Sequence, residues 1–240
     1  MTVSDVQLLL TRFSMIDLPL ITITVFAVLL TLRLTKWYMA WKYAQPLGSP
    51  GAVKGSRISG IILNWTINLT PPRDLPARLE PGFYFVGLTM HLSFIAILLL
   101  TKSHITVITG WLKYLGIPIS INVNMFLQRP YTHIISALLL ASITVMFARR
   151  VYHYATKSPL RGLIGSGEFI ATPFILVIGL TGLLAALRVL PEPFTQYLVI
   201  SHVILVQLFI IYVPASKFIH GISAFIVRTL SGVKRGRLGV

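Results

Sequence analysis

Residues 82–104 read GFYFVGLTMHLSFIAILLLTKSH. These 23 positions carry one charge, Lys102. About 20 mostly apolar residues suffice to cross a bilayer as a helix, and in hydrocarbon every backbone N–H and C=O must be satisfied within the segment. Four further runs have the same character, at 17–40, 131–153, 168–190 and 195–213. The expected fold is all-α and integral to the membrane: a five-transmembrane-helix bundle, read as one domain over 1–240.

Composition points the same way. Of 240 residues, 55% are hydrophobic and only 11% charged, with a mean hydropathy of +0.80. Soluble domains carry about 25% charged residues, and a chain of this size could not hide so much apolar surface from water. The net charge of +15 does not indicate nucleic acid, because the basic residues form short clusters between apolar runs and not one stripe. There is no cysteine. That excludes disulfides, covalent c-type haem attachment and an iron–sulfur cluster held by the chain's own thiolates. The N-terminus does not read as a cleaved signal peptide, since its first apolar run is long enough to span.

The loops set the expected orientation. Sixteen of the 21 Lys and Arg residues follow the first, third or fifth span or lie at its inner end. The other side holds Arg12, Lys102, Lys113, Arg129 and Arg188. The positive-inside rule then places the N-terminus outside and the C-terminus in the cytoplasm. A plasma-membrane, multi-pass protein is expected, with a cytoplasmic loop at 41–80 and an amphipathic C-terminal tail at 216–240. Gln45–Gly60 is rich in Gly, Ser and Pro and should be irregular. Ile61–Leu69 is apolar but too short to span, and reads as interfacial or packed on a partner. Asn64-Trp65-Thr66 and Asn68-Leu69-Thr70 match the glycosylation triplet but fall on the cytoplasmic side. The fifth span is expected to continue past Pro214 with a kink.

Six histidines lie in or at the ends of spans: His91, His104, His133, His153, His202 and His220. An ionisable group within a membrane is costly and marks function by default, and neutral imidazole is the usual axial ligand of b-type haem iron. On an unbroken helix, the 18-residue step from His202 to His220 returns to the same face after a rise of about 27 Å. His91 and His104 are separated by about 19.5 Å and about 220° on the second helix. With the two helices running oppositely, His91 and His220 share the inner depth and His104 and His202 the outer. Two bis-histidine haems b stacked across the bilayer follow from this arrangement. His133 and His153 also match by depth, at the two ends of the third span. Their plainer reading is as interfacial histidines bonded to headgroups, water or a haem propionate. From depth alone, inner propionates would pair with Lys217, Arg149 or Arg150, and outer ones with Lys113, Arg129 or Arg188.

The stretch His202-Val203-Ile204-Leu205 followed by Ile211-Tyr212-Val213-Pro214-Ala215-Ser216-Lys217-Phe218-Ile219-His220 resembles the last helix of the gamma (cytochrome b) subunit of respiratory nitrate reductase. Related cytochromes serve heterodisulfide reductase, sulfite-reductase-linked and hydrogenase complexes. That family carries two haem-ligating histidines on this helix at this spacing, the second preceded by Pro-x-Ser-basic. The resemblance covers most of 80–222 in layout and 202–220 as a specific motif. It implies that His202 ligates an outer haem with His104, and that His220 ligates an inner haem with His91. In the family the pair on the second helix sits a few residues closer together. The resemblance further implies a quinol site near the outer haem and a cytoplasmic iron–sulfur subunit with its catalytic partner.

The six acidic residues form no paired-carboxylate motif, so the side chains are not expected to run organic chemistry. Glu168, behind Gly165-Ser166-Gly167, reads as a carboxylate at a helix N-terminus. The expected function is a dihaem cytochrome b subunit passing electrons between a membrane quinone and a cytoplasmic partner. Membrane lipids are the other expected contact. Two alternatives stay open at this level: a haem-free membrane anchor, and a small transporter subunit with histidines in a proton path.

Overall fold

Long runs of Leu, Ile, Val and Phe leave the backbone one route to satisfaction in lipid, the i→i−4 ladder. The computed structural model describes residues 3–43, 55–67, 80–117, 119–122, 126, 130–158, 161 and 166–238. Among these every regular element is a helix. Five helical segments are long and apolar enough to cross a membrane: Asp5–Ala40, Pro81–Leu100, Tyr131–Ala155, Phe169–Leu187 and Phe194–Ala215. In chain order the α-helices are α1 (Val3–Arg12), α2 (Leu18–Tyr43), α3 (Arg57–Ile67), α4 (Pro81–Leu100), α5 (Lys102–Tyr114), α6 (Tyr131–Ala155), α7 (Ser166–Leu187), α8 (Phe194–Tyr212) and α9 (His220–Leu238). They belong to two compact units, Glu80–Leu205 and Met1–Leu79 with Val206–Val240.

In the Glu80–Leu205 unit, α4 opens with Pro81 at its first turn, where a missing N–H costs nothing. It does not run on to His104 as expected. Thr101 is extended (φ −82°, ψ 127°), and α5 restarts at Lys102. The break falls where the apolar run gives way to Thr101-Lys102-Ser103. One of the last four carbonyls of α4, Ile97, is met by the His104 ring, whose Nδ1 lies 2.8 Å away. α6 packs against both α4 and α7. It buries Leu139, Ser142, Ile143 and His153. Gly179 of α7 admits Leu140 so closely that a Cβ there would sit 2.9 Å from the leucine Cδ2. Small residues at helix contacts are how helices pack in lipid, where apolar burial adds little.

In the other unit, α1 and α2 are joined by a π turn at Phe13–Asp17, so helix begins well ahead of the expected 17. The turn precedes Pro19, whose ring would clash with the Met15 carbonyl in an unbroken α-helix. A wider i→i−5 turn, closed by Leu18 N–H to Phe13 O, relieves that clash. α2 packs against a 3₁₀ turn, Val213–Ala215, whose Pro214 is buried. Pro214 therefore ends the fifth span, and the expected kinked continuation does not form. It lacks an N–H, and its ring excludes the Ile210 carbonyl from the ladder. Ser216 turns the chain: its hydroxyl donates to Val213 O (3.1 Å) and accepts from Phe218 N–H (3.2 Å). α9 then starts at His220, so His202 and His220 do not share one helix. The equal-face arithmetic of an unbroken rod does not apply to them. Of the apolar stretch expected at Ile61–Leu69, residues 61–67 belong to α3, which packs on α9, and 68–69 lie outside the described residues.

Candidate functional site

His104 and His202 come together in the Glu80–Leu205 unit. Their ring centroids lie 6.2 Å apart with planes inclined by 21°. The break at Thr101 brings the His104 ring back over the end of α4, to Ile97 O. His202 projects from α8 toward α7, where its Nδ1 is 2.9 Å from Ile178 O. Thr181 Oγ1 lies 3.4 Å from the same nitrogen. That hydroxyl already donates to the carbonyls of Val177 and Ile178, each at 2.9 Å. The His202 proton therefore belongs on Nδ1, with the carbonyl as acceptor. The same logic puts the His104 proton on Nδ1. Among the described residues each ring is left with its Nε2 lone pair uncommitted, the tautomer a metal-ligating histidine adopts when a backbone carbonyl orients it.

Gly182 makes room for this arrangement. A Cβ there would lie 2.7 Å from His202 Cε1 and 3.0 Å from its Nδ1. The glycine is one turn from Ile178 along α7, so the acceptor and the cleared space come from one helix face.

His91, on α4, has its Nδ1 2.7 Å from Gly87 O and an exposed ring. It shares the Nδ1-to-carbonyl pattern of His104 and His202. His220 begins α9 in the other unit, and neither its side chain nor that of Lys217 is among the described ones. Arg129 also lies outside the described residues. His133 has a buried Nε2 with no partner among the described residues.

A second cluster was not anticipated from sequence. Glu80 precedes α4, and Arg149 and His153 stand one turn apart on α6. Arg149 donates through Nε (2.8 Å) and an Nη to one Glu80 oxygen. His153 Nε2 is 3.1 Å from the other. Burial pushes the Glu80 carboxyl up. The hydrogen bond and charge of Arg149, with His153 behind them, outweigh that and hold it below the usual carboxylate range. Arg149 also lies 4.9 Å over the Phe83 ring. Arg150 instead donates to Thr172 on α7. The only sequence signal for the cluster was a lone acid ahead of a span and an Arg–His pair at i, i+4.

Gln207, in α8, is a further residue the sequence reading passed over. It is 1% exposed, and neither amide atom has a partner among the described residues. An amide deep within an apolar span, apart from Gln196 at the span's start, was the available signal.

Comparison with family models, curated proteins and solved structures finds no match to this chain.

Proposed function

We propose that the chain is a cytochrome b subunit in which His104 and His202 hold a haem, and that it exchanges electrons with a membrane quinone. The observation that carries this reading is the imidazole pair. His104 and His202 would hold the iron of a haem through their Nε2 atoms. The two centroids stand 6.2 Å apart. Each Nδ1 is engaged by a carbonyl, Ile97 O or Ile178 O, which orients the ring and leaves Nε2 for iron. Among the described residues no group of three or more His, Cys, Asp or Glu gathers that could hold a metal ion. Two imidazoles are what a porphyrin, which supplies four nitrogens of its own, asks of a protein.

A bound haem supplies one-electron redox chemistry at a potential the protein tunes. The chain's own part is to fix the ligand tautomers, clear space at Gly182 and keep the rings within an apolar unit. His91 is proposed as a ligand of a second, inner haem. His91 carries the same carbonyl-engaged Nδ1. His153 is set aside as a ligand because its Nε2 faces Glu80; the same carboxylate takes up Arg149, one of the three residues that depth alone offered to an inner propionate. The proposed setting is the plasma membrane, N-terminus outside, with an iron–sulfur subunit and catalytic subunit on the cytoplasmic side.

The test is the visible spectrum of the purified protein. Reduction with dithionite should give b-type bands. His104→Ala and His202→Ala should each lose the same haem, whereas His153→Ala should keep it. A colourless wild type, or a spectrum indifferent to both substitutions, sinks the reading.

A further inference from the structure

We propose that the α3–α9 pair is an anionic-lipid-binding element seated in one membrane interface, with its apolar rim among acyl chains and its cations among headgroups. This stands independently of the haem assignment.

The pair is inside-out for water. Its contact line is built of small and polar residues: Gly60 and Asn64 on α3, Ser231, Gly232 and Gly236 on α9. A Cβ on Gly232 would come 2.7 Å from the Ile61 Cα, and one on Gly60 would overlap the backbone of Gly232 and Gly236. Asn64, 3% exposed, donates to Arg228 O (2.6 Å) and Ser231 Oγ (2.7 Å). Phe225 sets its ring edge-on to Trp65 across the pair (centroids 4.4 Å), but Ile58, Ile62 and Val227 are 58–69% exposed. Two helices in water would turn these inward and Asn64 outward. Glycines spaced by four and an interhelical amide are the means of pairing in lipid.

The occupant of the rim follows from its distribution. Ile58 and Ile62 each project about 160° away from Gly60 around α3, and Val227 about 140° away from Gly232 around α9. The exposed apolar residues therefore surround the pair and do not form one patch, so a solvent of apolar character fits them better than a one-sided protein partner. α3 has 11 residues, about 16 Å, too short to cross a core of about 30 Å. One leaflet must supply that solvent. The charge selects its headgroup. Arg57 and Arg228 lie within the two helices, and Lys234, Arg235 and Arg237 near the end of α9, with no acid in 57–67 or 220–238. Anionic headgroups attract such a cluster. α9 is also tethered to the bilayer, because only residues 213–219 separate it from the fifth span.

The absence of native cysteine permits a direct test. Ile58→Cys, Ile62→Cys and Val227→Cys, each carrying a nitroxide, are reconstituted as full-length protein into vesicles of phosphatidylcholine, with or without phosphatidylglycerol. Collision with lipid-soluble oxygen is compared with collision with a water-soluble nickel chelate. In the mixed vesicles oxygen contact should exceed nickel contact at all three positions. That preference should fall at least about two-fold in phosphatidylcholine alone. The triple change K234Q/R235Q/R237Q should remove the dependence on lipid. Nickel contact dominating would show a water-facing surface, and neither reagent reaching the labels would show a protein cover. Either result overturns the proposal. Equal oxygen preference in the two lipids overturns the anionic assignment.

Discussion

Replacing Gly182 by alanine tests the imidazole pair without touching a ligand. The added Cβ would stand 2.7 Å from His202 Cε1. Ordinary contact begins near 3.4 Å, so the ring must retreat by about 0.7 Å or the two helices must part. Either movement strains the 2.9 Å contact from Nδ1 to Ile178 O. It also displaces Nε2, the atom through which His202 would hold the group, by more than the about 0.5 Å that a preorganised site tolerates. Loss of a carbonyl that orients a ligand typically weakens metal binding 10–100-fold, equivalent to about 1.4–2.8 kcal/mol. The expected outcome is a substoichiometric or readily lost haem in the Gly182→Ala protein, with a shifted midpoint potential in whatever fraction remains. Haem per folded protein, by reduced-minus-oxidised spectrum and redox titration, is the measurement. Gly179→Ala is the control on the same helix: its Cβ would meet only the movable end of Leu140, so haem content should hold. A folded Gly182→Ala protein with wild-type haem content and potential would refute the geometry argued for His202.

Three other outcomes are expected. Because the folded Glu80 carboxyl titrates below its ordinary value of 4.5, its contribution to stability is fully present above that pH and drains away as pH falls through the lower folded value. Glu80→Gln should flatten this acid limb in melting temperature against pH and cost about 1–2 kcal/mol at neutral pH; an unchanged profile would count against the cluster. Asn64→Leu removes two hydrogen bonds between α3 and α9 and should destabilise that pair by about 1–2 kcal/mol, read as faster proteolysis or hydrogen exchange in α9. Gln207→Leu replaces a buried amide unpartnered among the described residues and should raise stability by about 1–3 kcal/mol at most, read as a higher melting temperature; a drop instead would show that the amide has a partner.

The sequence by itself determined that the chain is helical and where five helices long and apolar enough to cross a membrane lie; His91, His133, His153 and His202 fall on them as expected, whereas His104 and His220 lie on α5 and α9. Crossing hydrocarbon is a local requirement: about 20 apolar residues satisfy it wherever they occur, so runs such as 131–153 could be read without knowing their neighbours. Rotation and height along a helix were legible only while the helix was unbroken. Thr101 and Pro214 each stop one, which voided the face arithmetic for both histidine pairs. Only the tertiary structure decided the partners: His104 and His202 facing each other across 98 residues of chain, Ile178 and Gly182 shaping the space, Glu80 reaching Arg149 and His153 about 70 residues on, and Asn64 meeting Arg228 across 164. Such pairs depend on where helices end and how closely their backbones approach. Glycine at the contact and an unsatisfied carbonyl at a helix end decide both, and neither has a periodic signature in one dimension.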